Sequence, residues 1–316
     1  MSSEDKLGVR YIKYVVDGNN KAYSSGPGRV IRYVCIQVTT EIDLAEKRCN
    51  VINFRALFMS NHKYNYSGMM APVLTPFINN SAQDLNLSII PKYAKFLKDT
   101  GIRGVLVNGT SGEGMSLTVS ERKAVTAAWA EAVKSTKQNL MVQIGGACLK
   151  DVQEMAAHAE KLGVDGLLCL PELFNSPSTV DELVNYLSYV AEAAPKTPLL
   201  YYHNPPYTGV RVSIPKFLTA ASKKIPTFSG AKYTDTNLEE GSHCILVEDT
   251  TVFLGCDHVL AGAFTLGFDS AIATTLNMFP SFSLNILEAV EKGDTVKAKA
   301  EQRKLTAAIF AVTRNG

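Results

Sequence analysis

From Met70 to the end of the chain, short apolar runs alternate with longer stretches in which apolar residues recur every three or four positions. Short apolar runs are typical of buried strands, and the longer spacing is typical of helices with one buried face. Eight strands are predicted, at 70–77, 104–109, 140–146, 166–171, 199–205, 228–234, 252–256 and 270–275. Each is followed by a helical stretch, clearest at 85–100, 120–136, 149–162, 180–194 and a last one over much of 282–312.

Eight strand-helix units in one chain segment of about 250 residues match the usual size of a (β/α)8 barrel. We therefore predict an α/β protein whose catalytic domain is a TIM barrel over residues 68–316. A doubly wound open sheet is the alternative. It is less consistent with the chain, because the glycine-rich dinucleotide-binding turn after the first strand is absent.

Residues 1–67 have no persistent hydrophobic period and are treated as an unassigned N-terminal extension. The segment is either a disordered extension with a role of its own or an artefact of gene prediction. We favour the artefact, because the segment contains neither a periodic pattern nor an evident tether.

Composition narrows the classes of ligand. The chain has 316 residues, of which 46% are hydrophobic and 20% charged, and its formal net charge is +2. No basic run indicates nucleic acid, so small polar metabolites are the expected partners. Six cysteines form no C-x-x-C pair and no zinc-like group with the five histidines, and no metal is expected. Without a signal-peptide pattern or a long apolar stretch, we expect a cytoplasmic protein that does not bind membranes.

Lys232 is the most informative position, because it interrupts the apolar run Phe228-Ser229-Gly230-Ala231-Lys232-Tyr233. A lysine desolvated at the end of a barrel strand is less easily kept charged, and its neutral amine is a nucleophile toward carbonyl groups. On the pattern alone, a snorkelling or salt-bridged lysine is the favoured interpretation.

Catalytic residues of TIM barrels project from the carboxyl ends of the strands, and those ends are polar in this chain. The second strand ends in Asn108-Gly109-Thr110-Ser111-Gly112-Glu113-Gly114, the fifth in Tyr201-Tyr202-His203-Asn204-Pro205, the sixth in Lys232-Tyr233-Thr234-Asp235, the seventh in Gly255-Cys256-Asp257-His258 and the eighth in Ala273-Thr274-Thr275.

Residues at two of these strand ends could act together with Lys232 in catalysis. The glycines around Thr110 and Ser111 allow a sharp turn that presents amides and hydroxyls to a carboxylate, although such a turn can be a plain loop. Tyr202 can shuttle protons beside a cationic iminium, or it can be an ordinary core tyrosine. Together, the carboxylate loop, the phenol and the lysine are the groups needed to process a 2-oxo acid through a Schiff base.

These residues resemble the pyruvate-dependent class I aldolases, the family that includes the N-acetylneuraminate lyases and the dihydrodipicolinate synthases. The resemblance runs from about Met70 to the chain end. It depends on Ala71-Pro72-Val73-Leu74-Thr75-Pro76-Phe77, Gly109-Thr110-Ser111-Gly112-Glu113, Tyr202-His203-Asn204-Pro205 and Gly230-Ala231-Lys232-Tyr233-Thr234-Asp235. Within the family, the Tyr-His-x-Pro and Lys-x-Thr-Asp runs look like the animal-type lyases.

The resemblance implies that the chain cleaves N-acetylneuraminate (sialic acid) to N-acetylmannosamine and pyruvate, without a cofactor. Lys232 is then the Schiff-base lysine, Tyr202 the proton relay, and Thr110 with Ser111 the carboxylate site. The polyhydroxyl tail is held by Thr234, Gly255, Asp257, His258 and Thr274. The resemblance also implies a homotetramer in which a neighbouring subunit helps to complete each site.

Several features keep alternatives open. The synthases carry an arginine just after the proline of the fifth strand, where this chain has Pro206-Tyr207-Thr208-Gly209, so a sugar-like partner is favoured. Another 2-oxo acid aldolase of the family remains an alternative, as does a non-catalytic barrel. A glycolytic-type aldolase is disfavoured, because no phosphate clamp is present.

Three departures from the family pattern accompany the resemblance. His258 replaces the usual glutamate, and Ala273-Thr274-Thr275 replaces a Gly-Ser-Thr-like turn. We expect the first to alter recognition of the substrate tail and the second to narrow the pocket. The family's C-terminal helices are expected to be missing after the eighth barrel helix.

Overall fold

The computed structural model of the chain describes residues 64–314 and two short strands nearer the N-terminus. Those strands, β1 (Val15–Val16) and β2 (Ala22–Tyr23), pair antiparallel in the register Val15 with Tyr23. The chain divides into two compact units, residues 1–57 and 58–316. The remaining residues of the predicted extension before residue 64 lie outside the described part of the chain, so its interpretation stays a prediction.

The second unit is a closed barrel of eight parallel strands, which confirms the predicted (β/α)8 fold. The strands are β3 (Gly68–Pro72), β4 (Gly104–Val107), β5 (Asn139–Gln143), β6 (Gly166–Cys169), β7 (Leu199–His203), β8 (Phe228–Tyr233), β9 (Thr251–Leu254) and β10 (Ser270–Ile272). They pair in sequence order, and the barrel closes where β10 pairs with β3, Ser270 opposite Gly68. The carboxyl ends of all eight strands therefore meet at one rim.

Helices connect the strands along the outside of the barrel. They are α1 (Ile90–Asp99), α2 (Val119–Thr136), α3 (Leu149–Leu162), α4 (Val180–Ala191), α5 (Pro205–Thr208), α6 (Ile214–Lys224), α7 (Leu238–Cys244), α8 (Leu260–Thr265), α9 (Pro280–Glu291) and α10 (Thr295–Thr313). Helix α2 begins with a reciprocal capping box in which Thr118 and Glu121 bond each other's backbone amides.

The helix predicted over much of 282–312 is two helices. Gly293 adopts the left-handed backbone conformation, with φ of 73°, which ends the path of α9. The Asp294 side chain then accepts a hydrogen bond of 2.8 Å from the Lys297 amide and starts α10. Since α9 is the eighth barrel helix, α10 is one further helix, packed against α9 and α8.

The core has two layers. Apolar residues inside the barrel form one cluster, which includes Met70, Leu106, Met141, Leu168, Leu200, Phe253 and Ile272. The outward-facing strand residues and the inner faces of the helices form a second, larger cluster around Trp129, Phe217 and Phe228. Alternation of side chains along each strand separates the two layers.

Two tyrosines close the amino-terminal end of the barrel. Tyr64 is buried and Tyr66 partly so, and the Tyr66 ring stacks on Phe253 with ring centroids 5.9 Å apart. A Cβ atom on Gly104, the first residue of β4, would lie 2.6 Å from the Tyr66 hydroxyl oxygen. Both tyrosines belong to the barrel, although their lack of a periodic pattern placed them in the predicted extension.

Substitution of Gly104 by alanine is expected to destabilise the fold by about 1–3 kcal/mol, because the added methyl group collides with the stacked Tyr66 ring. Chemical denaturation measures the change. Gly262→Ala in helix α8 is the control, because its Cβ would have only an ordinary contact of 3.4 Å. The control should be neutral or stabilised by up to about 1 kcal/mol. Equal stability of the two variants would show that the Tyr66 ring does not pack against Gly104 at the end of the barrel.

Candidate functional site

Lys232 and Tyr202 face each other inside the carboxyl end of the barrel. The register between β7 and β8 places Tyr202 opposite Lys232. Both side chains are buried, with Lys232 5% exposed, and Lys232 Nζ donates a hydrogen bond of 3.0 Å to Tyr202 Oη. Among residues 64–314, no carboxylate lies within ion-pair distance of Lys232. The lysine is therefore neither snorkelling nor salt-bridged.

Tyr202 is the centre of a hydrogen-bond network. Its hydroxyl lies 3.0 Å from Thr110 Oγ1 and accepts a longer bond of 3.5 Å from Asn204 Nδ2. Burial by itself raises the pKa of Tyr202, but the positive charge of Lys232 and these hydrogen bonds outweigh it, and the pKa is lowered. Its phenol is therefore easier to ionise than that of an ordinary tyrosine.

The turn after β4 contains two backbone amides that donate no hydrogen bond to another backbone group in the described part of the chain. The amides of Gly112, Glu113 and Gly114 bond to carbonyls of the turn itself. Those of Thr110 and Ser111 make no such bond in the described part of the chain. The Ser111 hydroxyl lies 2.7 Å from Thr274 Oγ1, which joins this turn to the end of β10. Two free amides and two hydroxyls can hold a carboxylate.

The predicted tail-binding residues occupy the adjoining ends of β8, β9 and β10. Thr234 Oγ1 is buried and has no hydrogen-bond partner among residues 64–314, and a Cβ on Gly255 would lie 2.1 Å from it. Asp257 Oδ1 accepts hydrogen bonds from the amide and the hydroxyl of Thr275. Only glycine fits at position 255, and the Asp257 carboxylate is held in one orientation.

A cavity of about 260 Å³ lies beside these residues, between the strand ends and α10. Four predicted residues line it, namely Gly255, Asp257, His258 and Thr274. Its other lining residues are Cys256, Thr275, Met278, Phe279, Ile309, Val312 and Thr313. Lys232 and Tyr202 are not among the lining residues, so the cavity does not enclose the lysine.

The sequence analysis did not identify two sets of residues near the site, Asn204 and part of α10. Asn204, which bonds Tyr202, follows β7 directly and could have been found by reading one residue beyond Tyr202 and His203. The α10 residues Ile309, Val312 and Thr313 carry no local signal, because only the folded chain brings them to the cavity.

His203 is directed away from the site. Its ring stacks on Tyr233, with centroids 5.4 Å apart, in the layer between the barrel and the helices. Burial lowers the pKa of His203 to about 4, so the imidazole is neutral near pH 7. The adjacent inward-facing Tyr202 is the titratable residue of this strand that reaches Lys232.

Known proteins resemble this chain in sequence and in fold. Residues 65–315 match the model of the dihydrodipicolinate synthetase family. The chain belongs to this family. Human N-acetylneuraminate lyase is 36% identical over 240 residues, covering 75% of this chain and 74% of the relative. Lyase B of Xenopus laevis is also 36% identical, over 247 residues that cover 78% and 92% of the two chains.

Solved structures give the same result. N-acetylneuraminate lyase from Proteus mirabilis superimposes with a TM-score of 0.75 at 32% identity, covering 79% of this chain and 84% of that one. The lyase from Aliivibrio salmonicida has the same score and identity and covers 79% and 82%. This member of the dihydrodipicolinate synthetase family is therefore a lyase of the aldolase type.

Residues 64–314 contain neither a metal-binding cluster nor a membrane-spanning helix. No group of three or more His, Cys, Asp or Glu side chains in this range is arranged to hold a metal ion. No helix in the same range combines the length and hydropathy needed to cross a lipid bilayer.

The ionisation of Tyr202 tests the geometry without any substrate. Absorbance titration should show a buried tyrosine ionising at lower pH than Tyr201 and Tyr233, whose pKa values burial raises. Lys232→Met removes the positive charge, so the low-pH transition should move to higher pH. Lys224→Met, at the exposed end of α6, should leave it unchanged. A transition unaffected by Lys232→Met would contradict the assigned contact.

Proposed function

We propose that this family member is a Schiff-base aldolase that cleaves N-acetylneuraminate to N-acetylmannosamine and pyruvate. The supporting observation is the buried amine of Lys232, 3.0 Å from Tyr202 Oη and without a carboxylate partner among residues 64–314. An amine used for structure would normally be paired when it is buried this deeply. The names of the relatives support the choice of sialic acid over other 2-oxo acids.

The first step is condensation. The Lys232 ammonium passes a proton to the ionised Tyr202 hydroxyl, and the freed amine attacks the C2 ketone of the open-chain sugar acid. Tyr202 returns that proton to the departing C2 oxygen, so loss of water leaves an iminium ion beside the Tyr202 phenolate. Tyr202 lies within hydrogen-bond distance of Nζ, so its hydroxyl can exchange a proton with the amine. Thr110 and Ser111 hold the carboxylate next to C2 through the free amides of their turn.

The second step breaks the C3–C4 bond. The C4 hydroxyl gives its proton to the Tyr202 phenolate, the C3–C4 electron pair moves toward the iminium, and N-acetylmannosamine leaves as the aldehyde. The resulting enamine takes this proton from Tyr202 at C3, which restores the iminium. Water then adds to the iminium carbon, releases pyruvate and returns the Lys232 amine. Thr110, 3.0 Å from the phenol oxygen, can relay protons to and from it.

The tail of the sugar acid is assigned to Thr234, Gly255, Asp257, His258 and Thr274. The unpartnered Thr234 hydroxyl and the fixed Asp257 carboxylate offer hydrogen bonds to hydroxyl groups of the substrate. His258 stands where the lyase pattern has glutamate, so it offers a different partner to the end of the tail.

The alternative substrate is another 2-oxo acid cleaved by the same lysine. The segment in which the synthases carry an arginine is α5 in this chain. No residue of α5 is basic, and its Tyr207 is exposed. This favours an uncharged aldehyde over one with a second carboxylate. A barrel without turnover is disfavoured, because Lys232, Tyr202 and Thr110 form a connected network.

Assembly and location belong to the same proposal. We infer a homotetramer in the cytoplasm, in which a neighbouring subunit helps to complete each site. Support comes from the family resemblance, and size-exclusion chromatography with light scattering tests the tetramer directly.

Lys232→Met should lower kcat for N-acetylneuraminate cleavage on the order of 10³-fold or more, because it removes the covalent catalyst. Coupled assay of pyruvate release measures the loss. Lys224→Met carries the same change on the surface and should keep wild-type kcat. Near-normal turnover by a folded Lys232→Met protein would exclude the Schiff-base mechanism.

Thr234→Val should raise KM about tenfold and leave stability unchanged or slightly increased. The substitution removes a hydroxyl that we assign to substrate binding and that is buried without a hydrogen-bond partner in the described part of the chain. Steady-state kinetics and thermal unfolding of the same preparation separate the two effects. A variant with wild-type KM would remove Thr234 from the tail site.

A further inference from the structure

The turn that carries Thr110 and Ser111 has a backbone that needs support from outside. Asn108 and Glu113 both have left-handed conformations, with φ of 59° and 52°. A Cβ on Gly114 would lie 2.1 Å from the Asn108 carbonyl oxygen, and one on Gly112 would lie 2.6 Å from the Val73 carbonyl oxygen. Such conformations persist only where the surroundings hold them in place.

The Asn108 side chain provides a direct connection from this turn to α2. It is 2% exposed, and its Nδ2 donates 3.0 Å to the Arg122 carbonyl oxygen and 3.1 Å to Thr126 Oγ1. The Thr126 hydroxyl in turn donates 2.8 Å to the same carbonyl. Both anchor points lie on one helix, so the amide can hold Asn108 in a single orientation.

Arg122 fixes that part of α2 to the rim of the barrel. Its buried guanidinium donates from Nη2 to the carbonyl oxygens of Gln143 (2.9 Å) and Gly145 (3.1 Å), at the end of β5. It makes no ion pair within residues 64–314. Burial lowers the pKa of Arg122 to about 10, which still leaves it charged near pH 7. The anchor of Asn108 is therefore itself attached to the neighbouring strand.

We propose that Asn108 is a positioning residue, which sets the turn so that the amides of Thr110 and Ser111 converge on the substrate carboxylate. The inference rests on the proposed Schiff-base function. Asn108 does not itself touch the substrate: its two bonds go to α2, and it acts through Gly109 on the residues that follow. Loss of the amide should therefore weaken binding of the 2-oxo acid and leave the amine of Lys232 reactive.

Asn108→Gly is the first variant, because glycine accepts a positive φ but has no side-chain amide to donate hydrogen bonds to α2. The matched control is Gln138→Ala. Gln138 is also buried, and its Nε2 donates 3.0 Å to the Ile102 carbonyl at the opposite end of β4. Both variants lose a buried amide-carbonyl bond, so both should lose stability, but only one loss lies beside the carboxylate turn.

The measurement is inactivation by borohydride at increasing pyruvate concentration, with thermal unfolding of each protein recorded in parallel. We expect the half-saturating pyruvate concentration to rise about tenfold for Asn108→Gly and to stay at the wild-type value for Gln138→Ala. The rate of inactivation at saturating pyruvate should change by less than about twofold. An unchanged half-saturation in folded Asn108→Gly, or an equal rise in the control, would overturn the proposal.

Thr126→Val keeps the proposal testable if Asn108→Gly does not fold. It removes one acceptor of the Asn108 amide and leaves the Arg122 carbonyl, so a rise of about threefold is expected. A wild-type value for this variant would then count against the role of Asn108. Absence of pyruvate-dependent inactivation in the wild-type protein would instead refute the Schiff-base function, so the two failures are distinguishable.

Discussion

The chemistry that we propose for this protein depends on one contact, that between the Lys232 amine and the Tyr202 hydroxyl inside the carboxyl end of the barrel. An ammonium group taken out of water without a carboxylate loses free energy of solvation that a single phenol does not fully restore. The fold tolerates this cost at the position where we propose that the amine reacts. The same contact makes Tyr202 easier to ionise, so the residue that we propose as the base lies directly beside the proposed nucleophile.

The surrounding structure fixes this contact from three directions. The register of β7 and β8 sets the two residues opposite each other, and the apolar barrel interior below them includes Leu200 and Phe253. The turn after β4 brings Thr110 to the phenol from the side. That turn is hydrogen-bonded to α2, and α2 to the end of β5, so the proposed carboxylate site and the lysine belong to one connected rim.

Much of this arrangement is accessible from sequence, because it depends on local order along the chain. All eight strands are predicted, although several predicted ends extend too far, since the apolar character of runs such as 70–77 continues past the last paired residue, Pro72. The polar strand ends indicate Lys232, Tyr202 and Thr110. The register that makes Lys232 face Tyr202 cannot be predicted from local sequence, because it is a long-range contact. The same holds for the approach of α10 to the residues that we assign to the substrate tail. The break at Gly293 is local and visible in the sequence, yet the prediction runs one helix through it.

The central claim is that Lys232 forms the covalent intermediate. Borohydride reduction in the presence of pyruvate, followed by intact-mass measurement and peptide mapping, tests it most directly. We predict one pyruvate-sized adduct per chain, located on the peptide that contains Lys232 and absent from Lys232→Met. A folded protein that acquires no adduct, or one that carries it on another lysine, would contradict this claim.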